Sequence, residues 1–440
     1  MSRVPVPVLL AIFLYPGACN AEILSLDEAL RLALTNNTAV VNSKLQLEAA
    51  ADDVAALRTT RYPRMDISGG VSHTLEDQSY TFDQGVWGTY PGIGEVPAQD
   101  ITINSADGTS KIWSAGITQP LSQQYRVGLS IEQGEVKEDM AGALVSLAQQ
   151  NLALIVKQTY FEILQTRNDL DVSNEAILFY ESLTDLVANY VEQKIAFEYE
   201  LLETEARLAR RKLDAVSQRD RLATQKERMN SLLARDLNTP FEVLDLPREI
   251  VFPRDPEDAI ATALAQRPDI RESELKIKDA ELGYDIKEAE YLPDVDLNVR
   301  YTKLYDNTLI PDTDAYVGLH ARWEFYDWGR KKSELASKNN MIRAATNNAQ
   351  QVKDRVTIDV LRSIRAIGEA DQTLQVAKLS QAAAREKLRV LTNQYRQQSA
   401  LLQDVLDAEK DLDMANNDYT RAVLSVWKAQ AEYERAVGEL

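Results

Sequence analysis

Residues 25–69 align with residues 255–299 without a gap, and this duplication limits the possible folds more than any other feature of the chain. Ala29, Ala33, Leu34, Ser43, Leu45, Ala50, Pro63 and Asp66 recur 230 positions later as Ala259, Ala263, Leu264, Ser273, Leu275, Ala280, Pro293 and Asp296. Further on the offset becomes 204. Arg126 then corresponds to Arg330, Val156 to Val360, and Leu202-Glu203-Thr204-Glu205 to Leu406-Asp407-Ala408-Glu409. The 26-residue difference falls mostly between positions 75 and 112. An offset held over so many residues predicts two structural repeats, 22–238 and 255–440, joined by a proline-punctuated connector at 239–254.

Each repeat has the pattern of a helix, two strands and two long helices. Ser25 caps the first helix, with Glu28 three residues on to complete a capping box. Asp255 followed by Pro256 opens its counterpart. The two helices are expected to run to Pro63 and Pro293, which cannot continue them. Low glycine (17) and proline (14) and an aromatic share of 7% favour long helices. A formal net charge of -19 leaves no electrostatic footprint for nucleic acid.

The strand segments alternate strictly. Val295, Leu297, Val299 and Tyr301 alternate with Asp294, Asp296, Asn298 and Arg300. Val317, Leu319, Ala321, Trp323 and Phe325 alternate with Gly318, His320, Arg322 and Glu324. In the first repeat Met65, Ile67 and Val71, then Trp113, Ala115 and Ile117, follow the same rule. A period of two puts each set on one face of a sheet. A half-buried soluble sheet would show the same alternation. Strands of about ten residues with aromatics toward their ends, in an exported chain, fit an outer-membrane barrel better. Two hairpins supply only four strands, whereas the smallest such barrels have about eight. Open sheet edges are not tolerated in lipid, so several chains would have to share one barrel; three would supply twelve strands.

The export signal lies in MSRVPVPVLLAIFLYPGACNA. Arg3 precedes an apolar run from Val4 to Tyr15, and cleavage is expected after Ala21, with Glu22 as the mature N-terminus. Acylation of Cys19 is the alternative. No later run of 18 apolar residues predicts a transmembrane helix.

Segments 122–189 and 327–394 are each long enough for one continuous helix. The final stretch, from Tyr395 to Val437, carries a heptad seam: Leu401, Ala408, Ala415, Ala422, Ala429 and Ala436 in one register, Val405, Leu412, Tyr419, Val426 and Tyr433 in the other. Between Phe197 and Leu232 the seam is broken by Arg211, Gln218 and Gln225, and a second stripe (Leu202, Ala206, Ala209, Leu213, Val216) lies one residue round. Apolar positions on two sides suit a closed cylinder of helices, though a solid soluble bundle also satisfies heptads. His73 and His320 lack metal-ligand spacing, and there is no phosphate loop, GxSxG or HExxH, so neither an enzyme nor a cofactor is expected.

Taken together, the duplicated units ending at Pro63 and Pro293, the segment WEFYDWGR at 323–330, the tract YRQQSALLQDVLDAEKDL at 395–412 and the closing AVGEL resemble the TolC-like outer-membrane efflux and secretion channels. The resemblance covers essentially the whole mature chain. It implies a homotrimer, mainly α with a small β part, whose long helices form a periplasmic α-barrel below a shared 12-stranded β-barrel. Such a channel is the exit duct of a tripartite efflux pump or a type I secretion system. Its partners are a periplasmic adaptor (membrane fusion) protein, an inner-membrane transporter and outer-membrane lipid. Asp404 and Asp407 fall on the family tract whose aspartates line the periplasmic aperture; the plainer reading is an acidic first turn favoured by the helix dipole. Tyr395 matches a tyrosine that helps hold the entrance shut, with Tyr190 at the facing turn. Ala400 stands where some members have a gating arginine, and Gln398 where a turn glycine is common. Val295, Leu297, Val299, Val317, Leu319, Trp323 and Trp113 are the expected lipid-facing strand positions. The competing function is a soluble periplasmic coiled-coil adaptor or structural protein.

Overall fold

A computed structural model describes residues 22–75, 78–106, 109–246, 255–305 and 311–439. The expected signal segment, part of the 239–254 connector, most of the 306–314 loop and Leu440 fall outside them. The first part of the chain forms β1 (Glu22–Leu24), α1 (Leu26–Asn36), α2 (Thr38–Thr59), β2 (Arg64–His73), β3 (Gln78–Phe82), β4 (Thr89–Tyr90), β5 (Gly94–Glu95), β6 (Ile101–Ala106), β7 (Thr109–Pro120), α3 (Gln124–Glu192) and α4 (Glu198–Leu232). The remainder forms β8 (Phe241–Val243), α5 (Pro256–Gln266), α6 (Pro268–Glu288), a 3-10 turn, β9 (Asp294–Tyr305), β10 (Thr313–Arg322), α7 (Arg330–Arg396) and α8 (Leu402–Val437). These elements divide into two compact units. One is Met1–Leu45, Gly142–Glu272 and Gln350–Leu440; the other is Gln46–Ala141 and Ser273–Ala349.

The first unit is helical apart from the parallel pair β1–β8. Its main core gathers Leu24, Val40, Val156, Tyr160, Ile163, Leu164, Met229 and Phe241. Tyr160 is fully buried, and its hydroxyl is shared between the carbonyls of Leu24 (3.0 Å) and Leu244 (2.9 Å), which ties both short strands to α3. Lys157 and Glu434 join α3 to α8 at 2.6 Å. The expected heptad seam of α8 holds for most of its length: Val405, Ala408, Ala415, Ala422, Val426, Ala429 and Ala436 are buried. Leu401 departs from it. As the N-cap residue it has extended backbone and is 71% exposed, and Leu402 takes the buried place.

The helix expected from Ser25 to Pro63 is two helices, and so is its counterpart. Asn37 turns extended (φ -61°, ψ 131°). Its Oδ1 accepts the Ala39 N–H at 2.9 Å while its Nδ2 donates to the Leu232 carbonyl at 2.9 Å. This side-chain competition with the backbone is why asparagine breaks helices from inside. At the corresponding position Arg267 is also extended (φ -69°, ψ 131°), because the ring of Pro268 excludes helical backbone before it. Ser25 and Asp255 cap as expected, accepting the N–H groups of Glu28 and Glu257, each at 3.2 Å.

The second unit holds a four-stranded antiparallel sheet in the order β10-β9-β7-β2. Its register aligns Met65, Ile117, Val299 and Val317 in one cross-strand row, and Asp66, Gly116, Arg300 and Tyr316 in the next. Successive rows therefore alternate apolar and polar. On the polar side Ser68 and Ser114 bond at 2.9 Å, and Thr118 donates to Asn298 at 2.9 Å. Arg300 approaches Asp66 to 4.0 Å across Gly116, where an added Cβ would sit 3.0 Å from the Asp66 carboxylate. Residues 78–106, expected only as the place where the repeats differ in length, add the hairpins β3–β6 and β4–β5. They are stitched by Trp87 N–H to the Val96 carbonyl (2.9 Å) and by Gln84 N–H to the Asp100 carboxylate (2.7 Å).

Among the described residues α3 alone is long and apolar enough to cross a membrane, with an 18-residue window of mean hydropathy 1.2 that is 33% buried. The same helix supplies Leu152, Val156, Tyr160 and Leu164 to the core, so a packed interior is the simpler account of its apolarity.

Burial, opposed by its bond to Leu244, pushes the Tyr160 hydroxyl up to about 12. Because that folded value lies above the ordinary tyrosine value, the stability it contributes is complete below about pH 10 and lost as pH rises through about 12. Tyr160→Phe should remove both bonds, leave the Leu24 carbonyl with the Leu244 N–H alone, cost about 0.5–1.5 kcal/mol, and abolish this part of the alkaline destabilisation. Hydrogen exchange at the β1 and β8 amides, followed against pH in both proteins, measures it.

Candidate aperture at the helical turns

The α3–α4 and α7–α8 connections are built alike. Lys194 in the first and Gln398 in the second adopt left-handed backbone, both with φ 59°. The chain then closes back on the preceding helix, Ile195 N–H to the Tyr190 carbonyl (2.8 Å) and Ser399 N–H to the Gln394 carbonyl (2.9 Å). Each following helix is capped by a carboxylate that accepts the N–H of the residue three before it: Glu200 from Phe197 (2.7 Å) and Asp404 from Leu401 (3.0 Å). The reversal at Gln398 is thus made in glycine's usual conformation without glycine, at a cost of about 1–2 kcal/mol.

Tyr190 and Tyr395 meet at these turns. Their ring centroids lie 5.7 Å apart at 57°, and the Tyr190 hydroxyl donates to the Arg396 carbonyl at 3.1 Å. Tyr395 is buried beside Leu183, Val187, Leu402, Val405 and Leu406. Burial, reinforced by Glu200 and Tyr190, pushes its hydroxyl up to about 12, so it is neutral at physiological pH.

Asp404 and Asp407 are both exposed, one turn apart on α8. Each spends an oxygen locally. Asp404 caps its helix as described, and Asp407 accepts from Gln403 Nε2 at 3.0 Å. Lys387 of α7, bonded to Asp411 at 2.7 Å, lies within electrostatic range of Asp407. The pair can present negative charge to solvent while its backbone is held by the apolar cluster behind it. Ala400 lies in the turn itself and offers no charge to either aspartate.

The strand positions fall into place with one exception. Val295, Leu297, Val299, Val317, Leu319 and Trp113 share the apolar face of the sheet, and Trp113 packs on Tyr301 at 5.5 Å. Val317 and Leu319 are each 70% exposed, so none of the described residues covers their end of the face. Trp323 lies just outside the strand, because β10 ends at Arg322; its indole N–H donates to the Tyr291 carbonyl at 3.2 Å. Sequence reasoning treated Arg211 only as a break in the α4 seam. It is instead the centre of a charged group with Glu409 and Asp413 of α8, close to the buried Tyr180 of α3. An arginine at a seam position was the available signal. Among the described residues no group of three His, Cys, Asp or Glu is arranged to hold a metal ion.

The model of the family described as outer membrane efflux protein matches residues 29–235 and 259–439. No curated protein sequence matches the chain. Solved structures with the same fold include the outer membrane protein VceC from Vibrio cholerae, at 12% identity and TM-score 0.76, covering 94% of this chain and 96% of that one. The Campylobacter jejuni CmeC outer membrane channel superposes at 16% identity and TM-score 0.77, covering 94% of this chain and 85% of the other. The open state of the Neisseria gonorrhoeae MtrE outer membrane channel gives 18% identity and TM-score 0.72, covering 94% and 89%. These identities establish a shared fold and no more, but the sequence match reaches across both halves of the chain. The chain belongs to the outer membrane efflux protein family and is an efflux channel of the outer membrane.

Proposed function

We propose that three copies of this chain form one exit duct, with a shared twelve-stranded barrel in the outer membrane and long helices enclosing a periplasmic passage. The observation that carries the proposal is the sheet. It has one solvated polar face, one bare apolar face and two free edges, on β2 and β10. Hydrocarbon accepts the apolar face but not the edges, so the edges must pair between copies. Trp323, Phe325, Tyr326 and Trp328, all exposed just beyond β10, suit the membrane–water boundary where aromatic side chains concentrate. The α4 stripe of Leu202, Leu213 and Val216 is likewise exposed within one chain and suits a helix of a second copy. A soluble periplasmic adaptor is disfavoured by the bare sheet face, which would expose a contiguous apolar patch to water.

On this reading the two sequence repeats, 22–238 and 255–440, each contribute one hairpin to the barrel and one helical pair to the passage, after export directed by residues 1–21. Asp404 and Asp407 form two rings of three carboxylates at the periplasmic mouth, with Tyr190 and Tyr395 holding the turns behind them. Ile195, Phe197 and Tyr199, exposed at the α3–α4 turn, suit a periplasmic adaptor that joins the duct to an inner-membrane transporter. Passage is passive, and the energy comes from the transporter.

Two measurements test the reading. Leu319→Arg should cost up to about 2–4 kcal/mol near the bilayer midplane and deplete the outer-membrane fraction, whereas His320→Arg, on the polar face, should leave it intact. Equal recovery of both variants would sink the barrel assignment. In planar bilayers, Asp404→Ala with Asp407→Ala should weaken the preference for cations over anions. Unchanged ion selectivity would remove both residues from the mouth.

A further inference from the structure

Opposite the exposed aspartates, α8 carries a second carboxylate in a very different setting. Glu409 lies two positions after Asp407, about 200° around the helix, so Glu409 faces inward when Asp407 faces out. Glu409 is 5% exposed. The Tyr180 hydroxyl, itself only 1% exposed, donates to it at 2.6 Å. Arg211 of α4 donates to both of its oxygens, at 3.3 and 3.4 Å, and reaches Asp413 one turn on at 3.2 Å. Asp214 stands 3.8 Å from the same guanidinium, and Arg207 faces the Tyr180 hydroxyl as well as Glu203. Three helices, α3, α4 and α8, therefore converge on one charged group.

Polar contacts also reach α8 from α7, Lys387 to Asp411 at 2.7 Å and Gln381 to Asn416 at 2.9 Å, but each is a single bond between side chains less buried than Glu409. One register of the α8 seam is alanine, repeated at seven-residue spacing from Ala408 to Ala436. Small, uniform side chains let helices come close but distinguish poorly between one register or rotation and the next. A planar guanidinium bridging two carboxylates one turn apart accepts a single arrangement. Buried polar groups often add little net stability and serve instead to select one packing. The group is also absent from the other half of the chain. At the 204-residue spacing Tyr180 corresponds to Ala384, Arg211 to Ala415, and Glu409 to Glu205, which is exposed. Among the described residues the group therefore has no counterpart at the equivalent positions of the repeat.

We infer that Arg211, with Tyr180 and Glu409, is a positioning residue for the aperture: it sets the rotation and axial register of α8, and through them the direction in which Asp404 and Asp407 point. This rests on the assignment of those aspartates to the mouth of the duct. Removing Arg211 alone would strand a buried carboxylate, so the informative variant replaces the three inward members together, as Tyr180→Phe, Arg211→Met and Glu409→Leu, and leaves the more exposed Asp413 and Asp214 to solvent. Apolar replacement of a complete buried ionic group commonly preserves folding. Arg211→Lys is the second arm, since a single ammonium keeps the charge but cannot bridge Glu409 and Asp413 in one plane.

The experiment compares the full-length channels, purified from the outer membrane, in planar bilayers. It also follows the maleimide labelling rate of Gln403→Cys, an exposed neighbour of Asp404, in each background. The triple variant is expected to assemble, to lose its cation preference and to label at an altered rate; Arg211→Lys is expected to show a partial loss of both kinds. A merely stabilising role would lower yield and leave the selectivity of assembled channels unchanged. Unchanged selectivity in these variants, with selectivity lost in Asp404→Ala/Asp407→Ala, overturns the inference and leaves the aperture standing. Unchanged selectivity in all of them overturns the aperture and the inference together.

Discussion

Unpaired backbone is the constraint on which the rest depends. Within hydrocarbon every N–H and C=O must find a partner inside protein. The sheet meets that demand along its internal ladders and fails it at β2 and β10. A soluble protein would cover those edges with a helix, a charged strand or a bulge. Here nothing in the described residues does so, and the face beside them is bare and apolar at Met65, Ile67, Val317 and Leu319. Edge and face together are what the proposed duct explains, with lipid against the face and a second copy of the chain against the edges. The exposed stripe on α4 is explained in the same way in the helical unit, where the proposed neighbour is a helix of another copy.

The features legible from sequence were those with a strict period. Alternation at 295–301 and 317–321 gave both strands and their faces, because a one-residue slip would have reversed every side chain. Seven-residue spacing gave the buried positions of α8 from Val405 to Ala436. Capping chemistry gave helix starts at Ser25 and Asp255. Each is a local rule with a local cause.

What escaped lacked a period or depended on distant partners. The hairpins of residues 78–106 are short and rich in glycine and proline, and their pairing is closed by contacts such as Gln84 to Asp100 that no alternation announces. The break at Asn37 turns on its bond to Leu232, nearly two hundred residues away. Pro268 did signal its break, but a proline at a first helical position looks the same from sequence as one inside a longer helix. Leu401 fitted the heptad and was counted in the seam, although a helix that begins at the next residue gives its cap no inward face. The left-handed turn at Gln398 carried no glycine to mark it. The candidate aperture residues Asp404, Asp407, Tyr190 and Tyr395 were named through family resemblance, whereas the side chains packed behind them were not: Tyr180, Arg211 and Glu409 are far apart in sequence and ordinary in kind.

That support explains how α8 can be both close-packed and definite in position. The alanine register of the seam lowers the distance between helices and with it the penalty for sliding, since on that side each seven-residue step presents the same small side chain. In the proposed duct an aperture made of carboxylates is sensitive to such sliding, because rotation through part of a turn carries Asp404 and Asp407 from one environment to another. A helix with this seam therefore needs a separate source of register close to its functional end. Apolar contacts at Leu402, Val405 and Leu406 give it depth of packing, and the guanidinium of Arg211, which accepts one geometry and few others, gives it direction. The charged group lies within two turns of the aspartates, and the seam beyond Ala415 runs on to Val437 with small and apolar side chains alone at its buried positions. The division of labour follows from the chemistry: shape complementarity brings the helix in, and a directional bond decides which way it faces.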